Sequence, residues 1–352
     1  NYSWQWIFII NIPLCMISFL LVKLFVSNDK PEKQKYNKKF DIIGYTAIVT
    51  AMACMQIVLD KGQQYNWFDT TWVCWTTGLC IFAFVFFYVW ELEYKYPVID
   101  IRVFKDRNFL FGTLISSFIN VMLYSTLLLV PMFVQSLLGY SPSKSGLAMF
   151  PRAIICLIGL LAAGEISRHV KPKILAATGL LIMGASVLML TQLNTTSSIE
   201  SVIIPNILLC IGVPLAFVPI TALSFQTLPS SKNADAAALH ALFKNIVTAV
   251  ATAVSATFIA RVSQVRQTYL VEHLSPHNPV FQYKLMMLKS KFLIHYPSVL
   301  AAKKASGSLY KELLQQARLA SFFDAFTVLA LMCVIVIPLL LLIKANKQKT
   351  ST

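Results

Sequence analysis

Charge is scarce in this chain of 352 residues: 13% of them are charged and 57% hydrophobic, too little polar surface for a water-soluble domain. Catalytic signatures are missing as well. There is no H-E-x-x-H pair, no G-x-S-x-G with partner residues, and no His or carboxylate cluster at metal-ligand spacing, so neither an enzyme nor a resident metal or cofactor is expected. The phosphate-cradling G-x-x-x-x-G-K-[S/T] loop is absent too, which excludes an ATPase within the chain. Cys15, Cys54, Cys74, Cys80, Cys156, Cys210 and Cys333 all fall inside apolar runs without C-x-x-C spacing, and read as small core residues instead of disulfides or ligands. The first apolar run lacks the basic start and Ala-x-Ala-like site of a cleavable signal peptide.

What is present in quantity is apolar length. Stretches of about 20 residues, enough to cross a bilayer core of about 30 Å, recur along the chain. Nine are expected, over 6–26, 42–59, 71–90, 109–136, 145–166, 174–193, 202–225, 236–260 and 320–343. The fold class is therefore an all-α polytopic membrane protein. The net charge of +15 is explained by topology and not by nucleic acid. With alternate connections taken as inner, those sides hold Lys30, Lys33, Lys35, Lys38, Lys39, Lys95, Arg102, Lys105, Arg107, Arg168, Lys171, Lys173, Lys232, Lys344, Lys347 and Lys349, against Lys61 and Lys144 opposite. That bias predicts a cytoplasmic C-terminus.

One connection is long. Residues 264–318 are placed outside; Phe281, Leu285, Leu288, Phe292 and Leu293 recur at helical spacing among Lys284, Lys289 and Lys291, which predicts a basic amphipathic helix. The run "SLYKELLQQARLASFFDAF" predicts a second helix continuing into the last span. The pair either caps the outer mouth or touches substrate or a partner protein. In 202–225, Pro205, Pro214 and Pro219 each lack a backbone donor and predict a kink or local opening. Ala249, Ala253, Ala256 and Ala260 form a small-residue face for close helix approach.

Ionisable groups inside a bilayer are costly and are the default functional candidates. His240 and Lys244 share a helix face with Asp235 about one turn earlier; the three are either a proton relay or headgroup-level charges with Asp235 at a helix N-terminus. Asp324, near a helix start, is either a dipole partner or a coupling carboxylate. Arg152 follows Pro151 inside the fifth span, and Asn120, Gln135 and Asn206 lie at mid-span with Tyr124 nearby, as candidates to line a substrate cavity or to bond helices together.

Several stretches together resemble one family, the fourteen-span drug/proton antiporters of the major facilitator superfamily, of the EmrB and QacA type. "SWQWIFIINIP" resembles the W-R-W-I-F-x-I-N-x-P run at the start of span six; "FDIIGYTAI" and "LDKGQQYNWFD" resemble the F-D-x-x-G and L-D-x-G-x-x-x-x-W segments that follow. "PVIDIRVFKDRNF" is similar to the family's P-x-x-D-L-R-L-F-x-x-R-x-F linker, and "LVPMFVQSLLGYSPSKSGLAMFP" to its P-x-x-x-Q-x-x-x-G-Y-S and G-L-x-x-x-P run. In "GEISRHVKPK", Gly164, Arg168 and Lys173 keep the outline of the gating motif, with Ser167 or its neighbours in place of an acidic residue. In "HALFKNIVTAVATAV", Lys244 stands at an Arg position and Val247, Thr248 and Ala251 where glycines are usual.

The resemblance implies that the opening run interrupts a longer protein whose first five spans precede it. Residues 1–26 would be the last span of the N-terminal half, 27–108 two linker spans with their loops, and 109–352 the C-terminal six-span half. It further implies proton-coupled export of amphipathic, often cationic or lipophilic drugs by alternating access in a bacterial inner membrane. An EmrB-type member implies a periplasmic adaptor and an outer-membrane channel as partners; a QacA-like exporter works without them. The alternative is a fragment that does not transport without the N-terminal half.

Overall fold

The computed structural model describes residues 5–25, 41–94, 98–272 and 279–343. Eight described helices are long and apolar enough to cross a membrane. The chain divides into two compact units, residues 1–40 and 41–352.

Over the expected span 6–26 the first unit holds α1 (Trp6–Ile9) and α2 (Asn11–Phe25), joined by Ile10 in helical backbone conformation; residue 26 lies outside the described residues. Pro13 has no N–H to give the Ile9 carbonyl, which loosens the helix at that turn.

The second unit opens with a helix pair, α3 (Ile42–Lys61) and α4 (Thr71–Glu93). Asp41 caps α3 through the Gly44 N–H at 2.9 Å and also accepts the Trp90 indole N–H from α4 at 2.9 Å, which binds the two helices at their shared foot. Glu91, buried beside it, accepts the Val98 N–H at 3.2 Å. On α4, Phe82, Phe86, Trp90 and Tyr94 stack one turn apart with centroid separations of 6.3, 5.9 and 5.5 Å, while Phe87 turns inward and is buried.

Six helices then form a bundle: α5 (Arg107–Ser136), α6 (Pro142–His169), α7 (Pro172–Leu190), α8 (Ile199–Phe225), α9 (Asn233–Glu272), and the last long helix, Ser298–Leu339. The intervening α10 spans Pro279–Leu293, which makes the last helix α11. Starts are marked by side-chain caps: Asp106 accepts the Phe109 N–H at 2.8 Å, and Ser141 caps α6 ahead of Pro142. In the core, Phe133 of α5 meets Phe322 of α11 edge-on at 5.4 Å, with Phe326, Met183 and Leu209 fully buried around them.

The proline-rich α8 stays a continuous helix from Ile199 to Phe225, where local opening was expected. Pro214 cannot donate to the Cys210 carbonyl, and Gly159 of α6 lies against both; separately, Ser186 of α7 donates to the Pro205 carbonyl at 2.6 Å. Close backbone contact of α7 with α8 rests on Gly179 and Gly212. Of the cysteines, Cys54, Cys80, Cys210 and Cys333 are buried as expected, whereas Cys15 and Cys74 are exposed.

The described residues of 264–318 are largely helical: α9 runs on to Glu272, α10 forms the expected amphipathic helix, and α11 continues into the last span as expected. The 40-residue α9 and 42-residue α11 are each about 60 Å long, twice what a membrane core needs, and α10 packs on α11. Gln267 donates to the Tyr310 hydroxyl at 2.8 Å, and Lys284 pairs with Glu312 at 2.6 Å. Phe281, Leu285, Leu288 and Phe292 are the half-buried face of α10, while Leu293 is exposed.

A Cβ on Gly179 would lie 2.5 Å from the Ala216 backbone nitrogen, whereas one on Gly184 would meet only Cys333 at 3.4 Å. Gly179→Ala is therefore expected to cost about 1–3 kcal/mol and Gly184→Ala well under 1 kcal/mol. Thermal unfolding of the two variants in detergent reads the difference; equal midpoints would contradict the packing described.

Candidate functional site

Arg152 is a buried cation at the centre of the bundle. It is 4% exposed, and among the described residues no carboxylate pairs with it. Its neutralisation is by neutral acceptors from two neighbouring helices. Nη1 donates to Asn206 Oδ1 of α8 at 3.1 Å; Nη2 donates to the Leu123 carbonyl of α5 at 3.1 Å and to the Thr126 hydroxyl at 3.3 Å. The Asn206 amide is held in turn by donating to the Val202 carbonyl at 2.8 Å. A buried charge without a counter-ion is costly, and a guanidinium fork that reaches several acceptors at once lowers that cost. The arrangement ties α5, α6 and α8 together and keeps a positive charge inside the bundle.

Of the cavity candidates, only Arg152 and Asn206 meet. Asn120 is buried but donates to the Ser116 carbonyl of its own helix at 2.7 Å, and Tyr124 is half-buried. Gln135 is exposed and reaches Ser145 of α6 at 3.4 Å, about 14 Å along α5 from Thr126, so it fastens the α5–α6 turn and does not share the Arg152 site. Leu123 and Thr126 were missed by sequence reasoning. A backbone carbonyl leaves no trace in the residue type, and a threonine in a membrane helix is ordinarily satisfied within its own helix, as Thr126 also is by the Met122 carbonyl.

Asp235, His240 and Lys244 follow one another along α9, and His240 is buried beside the Phe225 ring at 6.0 Å, its Nε2 without a hydrogen-bond partner among the described residues. Asp235 is half-buried in the first turn of α9, and Lys244 lies half-buried one turn beyond His240. Asp324 is far from all three. It faces Arg266, whose Nε and Nη2 donate to one carboxylate oxygen at 3.2 and 2.8 Å, and Arg266 is about 39 Å along α9 from His240. Arg266 was outside the candidates because 264–318 was expected to be a loop.

The gating candidates lie at the α6–α7 turn. Arg168 pairs with Glu165 at 3.2 Å, both well exposed; Lys173 is in the first turn of α7, and a Cβ on Gly164 would meet nothing within 4 Å. At the same end as His240, a second fastening emerges that single residues did not announce. Lys232, in the α8–α9 connection, pairs with Asp100 at 3.1 Å, and Thr227 donates to Asp106 at 2.8 Å. These bonds clasp residues 98–108 to the connection between α8 and α9.

Comparison with known sequences settles the family: the sequence profile described as Major Facilitator Superfamily matches residues 1–252. The chain belongs to the Major Facilitator Superfamily. Similar relatives include the multidrug export protein EmrB of Escherichia coli K12, 25% identical over 93% of this chain and 62% of its own length. The probable multidrug resistance protein EmrY of the same organism is 27% identical over 80% of this chain and 55% of its own length. The fatty acid resistance protein FarB of Neisseria gonorrhoeae is 27% identical over 79% and 54%. The chain thus spans roughly half to three-fifths of the length of these relatives. Among solved structures, an inward-facing, occupied bacterial homologue of the human lysosomal transporter Spinster shares the fold, with TM-score 0.50 and 15% identity over 85% of this chain and 64% of that one. The major-facilitator chain is a multi-span membrane protein resembling the EmrB-type branch, a family of transporters.

Arg152→Lys keeps the charge but not the fork, since one ammonium cannot reach Asn206, Leu123 and Thr126 together. It is expected to lower stability by about 1–3 kcal/mol. An unchanged unfolding midpoint in detergent would show that the three bonds are dispensable.

Proposed function

We propose that this chain is the C-terminal part of a proton-coupled multidrug exporter of a bacterial inner membrane, working by alternating access on amphipathic drugs. The observation that carries the reading is the alignment of 93% of the chain with EmrB, a multidrug export protein. In this reading 41–94 is the linker pair and 107–339 the C-terminal half, with the C-terminus cytoplasmic.

Asp324 is the coupling carboxylate of the proposal. Its contact with Arg266 holds α11 to α9 at that level, and a proton placed on the carboxylate would weaken that hold, so proton binding and helix movement become linked. In the complete protein, Asp324→Asn and Arg266→Gln are each expected to reduce dye efflux about tenfold or more and to flatten its pH dependence. Efflux with unchanged rate and pH profile in both variants would exclude coupling through this pair.

The projection built from α9, α10 and α11 is the proposed contact for a periplasmic adaptor that leads to an outer-membrane channel. Val280, Tyr283, Met286 and Met287 leave α10 with an exposed apolar face on a segment longer than the membrane requires. Met286→Glu with Tyr283→Glu is expected to abolish co-purification of the adaptor encoded with the transporter while leaving membrane insertion intact; retained co-purification would remove this surface from consideration.

A second reading follows from length. Because the chain spans 54–62% of the relatives' length, it moves no drug unless joined by the remaining portion. Efflux from cells making this chain alone, beside cells making it with the rest of the protein, separates the readings.

A further inference from the structure

Where α3 and α4 meet α9, the structure forms a half-open pocket of about 190 Å³ with a wholly apolar lining. Four separate segments build it: Ile48 of α3, Phe84 and Phe87 of α4, Ile101 and Phe104 of the short 101–105 helix, and Leu242 of α9. Water entering would find no hydrogen-bond partner there. An apolar cavity of about 150 Å³ stays dry and takes up a small hydrocarbon, so this one suits a length of hydrocarbon chain. Ile48 and Leu242 sit about 9 and 14 Å from the starts of their helices, a depth that an acyl chain reaches from a headgroup at those starts.

The charge at the mouth specifies the head. Next to the lining residues Ile101 and Phe104 in the chain stand Arg102 and Lys105, with Arg107 beyond; all three are exposed, and none is in an ion pair among the described residues. Arg102 donates to the Leu92 carbonyl at 3.2 Å and the Arg107 guanidinium lies over the Phe111 ring, so both are placed without being neutralised. The two acids within residues 98–108 are engaged elsewhere. Asp100 pairs with Lys232, and Asp106 takes the Phe109 N–H and the Thr227 hydroxyl.

We propose that this cavity is a binding site for one acyl chain of an anionic phospholipid, whose phosphate sits at Arg102 and Lys105. The lipid fills the space between the α3–α4 pair and the bundle and adds to the clasp that residues 98–108 make. The site does not depend on which solute is exported or on how transport is energised.

The test is photolabelling of the purified full chain in phosphatidylcholine vesicles carrying a diazirine on the acyl chain of either phosphatidylglycerol or phosphatidylcholine. Expected is preferential labelling of peptides covering 84–88 and 239–246 by the phosphatidylglycerol probe. Arg102→Gln with Lys105→Gln should weaken it about fivefold per charge removed, leaving phosphatidylcholine labelling unchanged. Leu242→Trp, which fills the cavity, should abolish labelling there while labelling of the exposed face of α6 persists. Equal labelling by the two probes, or no loss in the charge variant, would overturn the proposal. Should Leu242→Trp misfold, loss of the α6 label reveals it, and the charge variant, altered only at exposed side chains, decides.

Discussion

A hydrocarbon core offers no hydrogen-bond partner, and the architecture depends on that constraint. Helices satisfy their own backbone, and the hydroxyls they carry are returned to it: Ser117 to the Thr113 carbonyl, Thr126 to Met122, Ser224 to Ile220 and Thr327 to Phe323. What a helix cannot satisfy alone must be met by a neighbour. The Pro205 carbonyl of α8 takes the Ser186 hydroxyl, the Cys210 carbonyl freed by Pro214 lies against Gly159, and Arg152 draws in Asn206, Leu123 and Thr126. Packing of α5, α6, α7 and α8 is thus set as much by polar satisfaction as by the phenylalanine core.

The same constraint sends paired charge to the ends. Every ion pair among the described residues has partly exposed side chains, from Arg168–Glu165 at the α6–α7 turn to Arg266–Asp324 near the projection. Pairs so placed contribute little stability each, because water competes for them. Their value lies in being breakable. The Asp100–Lys232 and Asp106–Thr227 contacts hold a connecting segment without locking it, whereas Arg152, out of reach of water, is a permanent fixture.

Much of the fold was legible in the chain because hydropathy is a one-dimensional record of solvent. Long spans, their order, the helical character of 279–293 and the helix that continues into the last span all follow from local pattern. The run of α9 on to Glu272 did not, because a helix anchored in a bundle propagates through polar sequence that would end an isolated one. The candidate site was legible only as single residues. Arg152 and Asn206 stood out for polarity, but that they meet across 54 positions did not.

Sequence by itself determined that this is an all-α chain of many membrane spans and marked the charges too costly to be incidental, since residue type alone sets the cost of leaving water. Only the tertiary structure decided which charges have partners. Among the described residues it gave Asp324 to Arg266, left His240 Nε2 with none, surrounded Arg152 with neutral acceptors, and gathered an apolar pocket from segments that are far apart in the chain. The reason is that desolvation belongs to a residue, whereas a hydrogen bond or a cavity belongs to an arrangement of several.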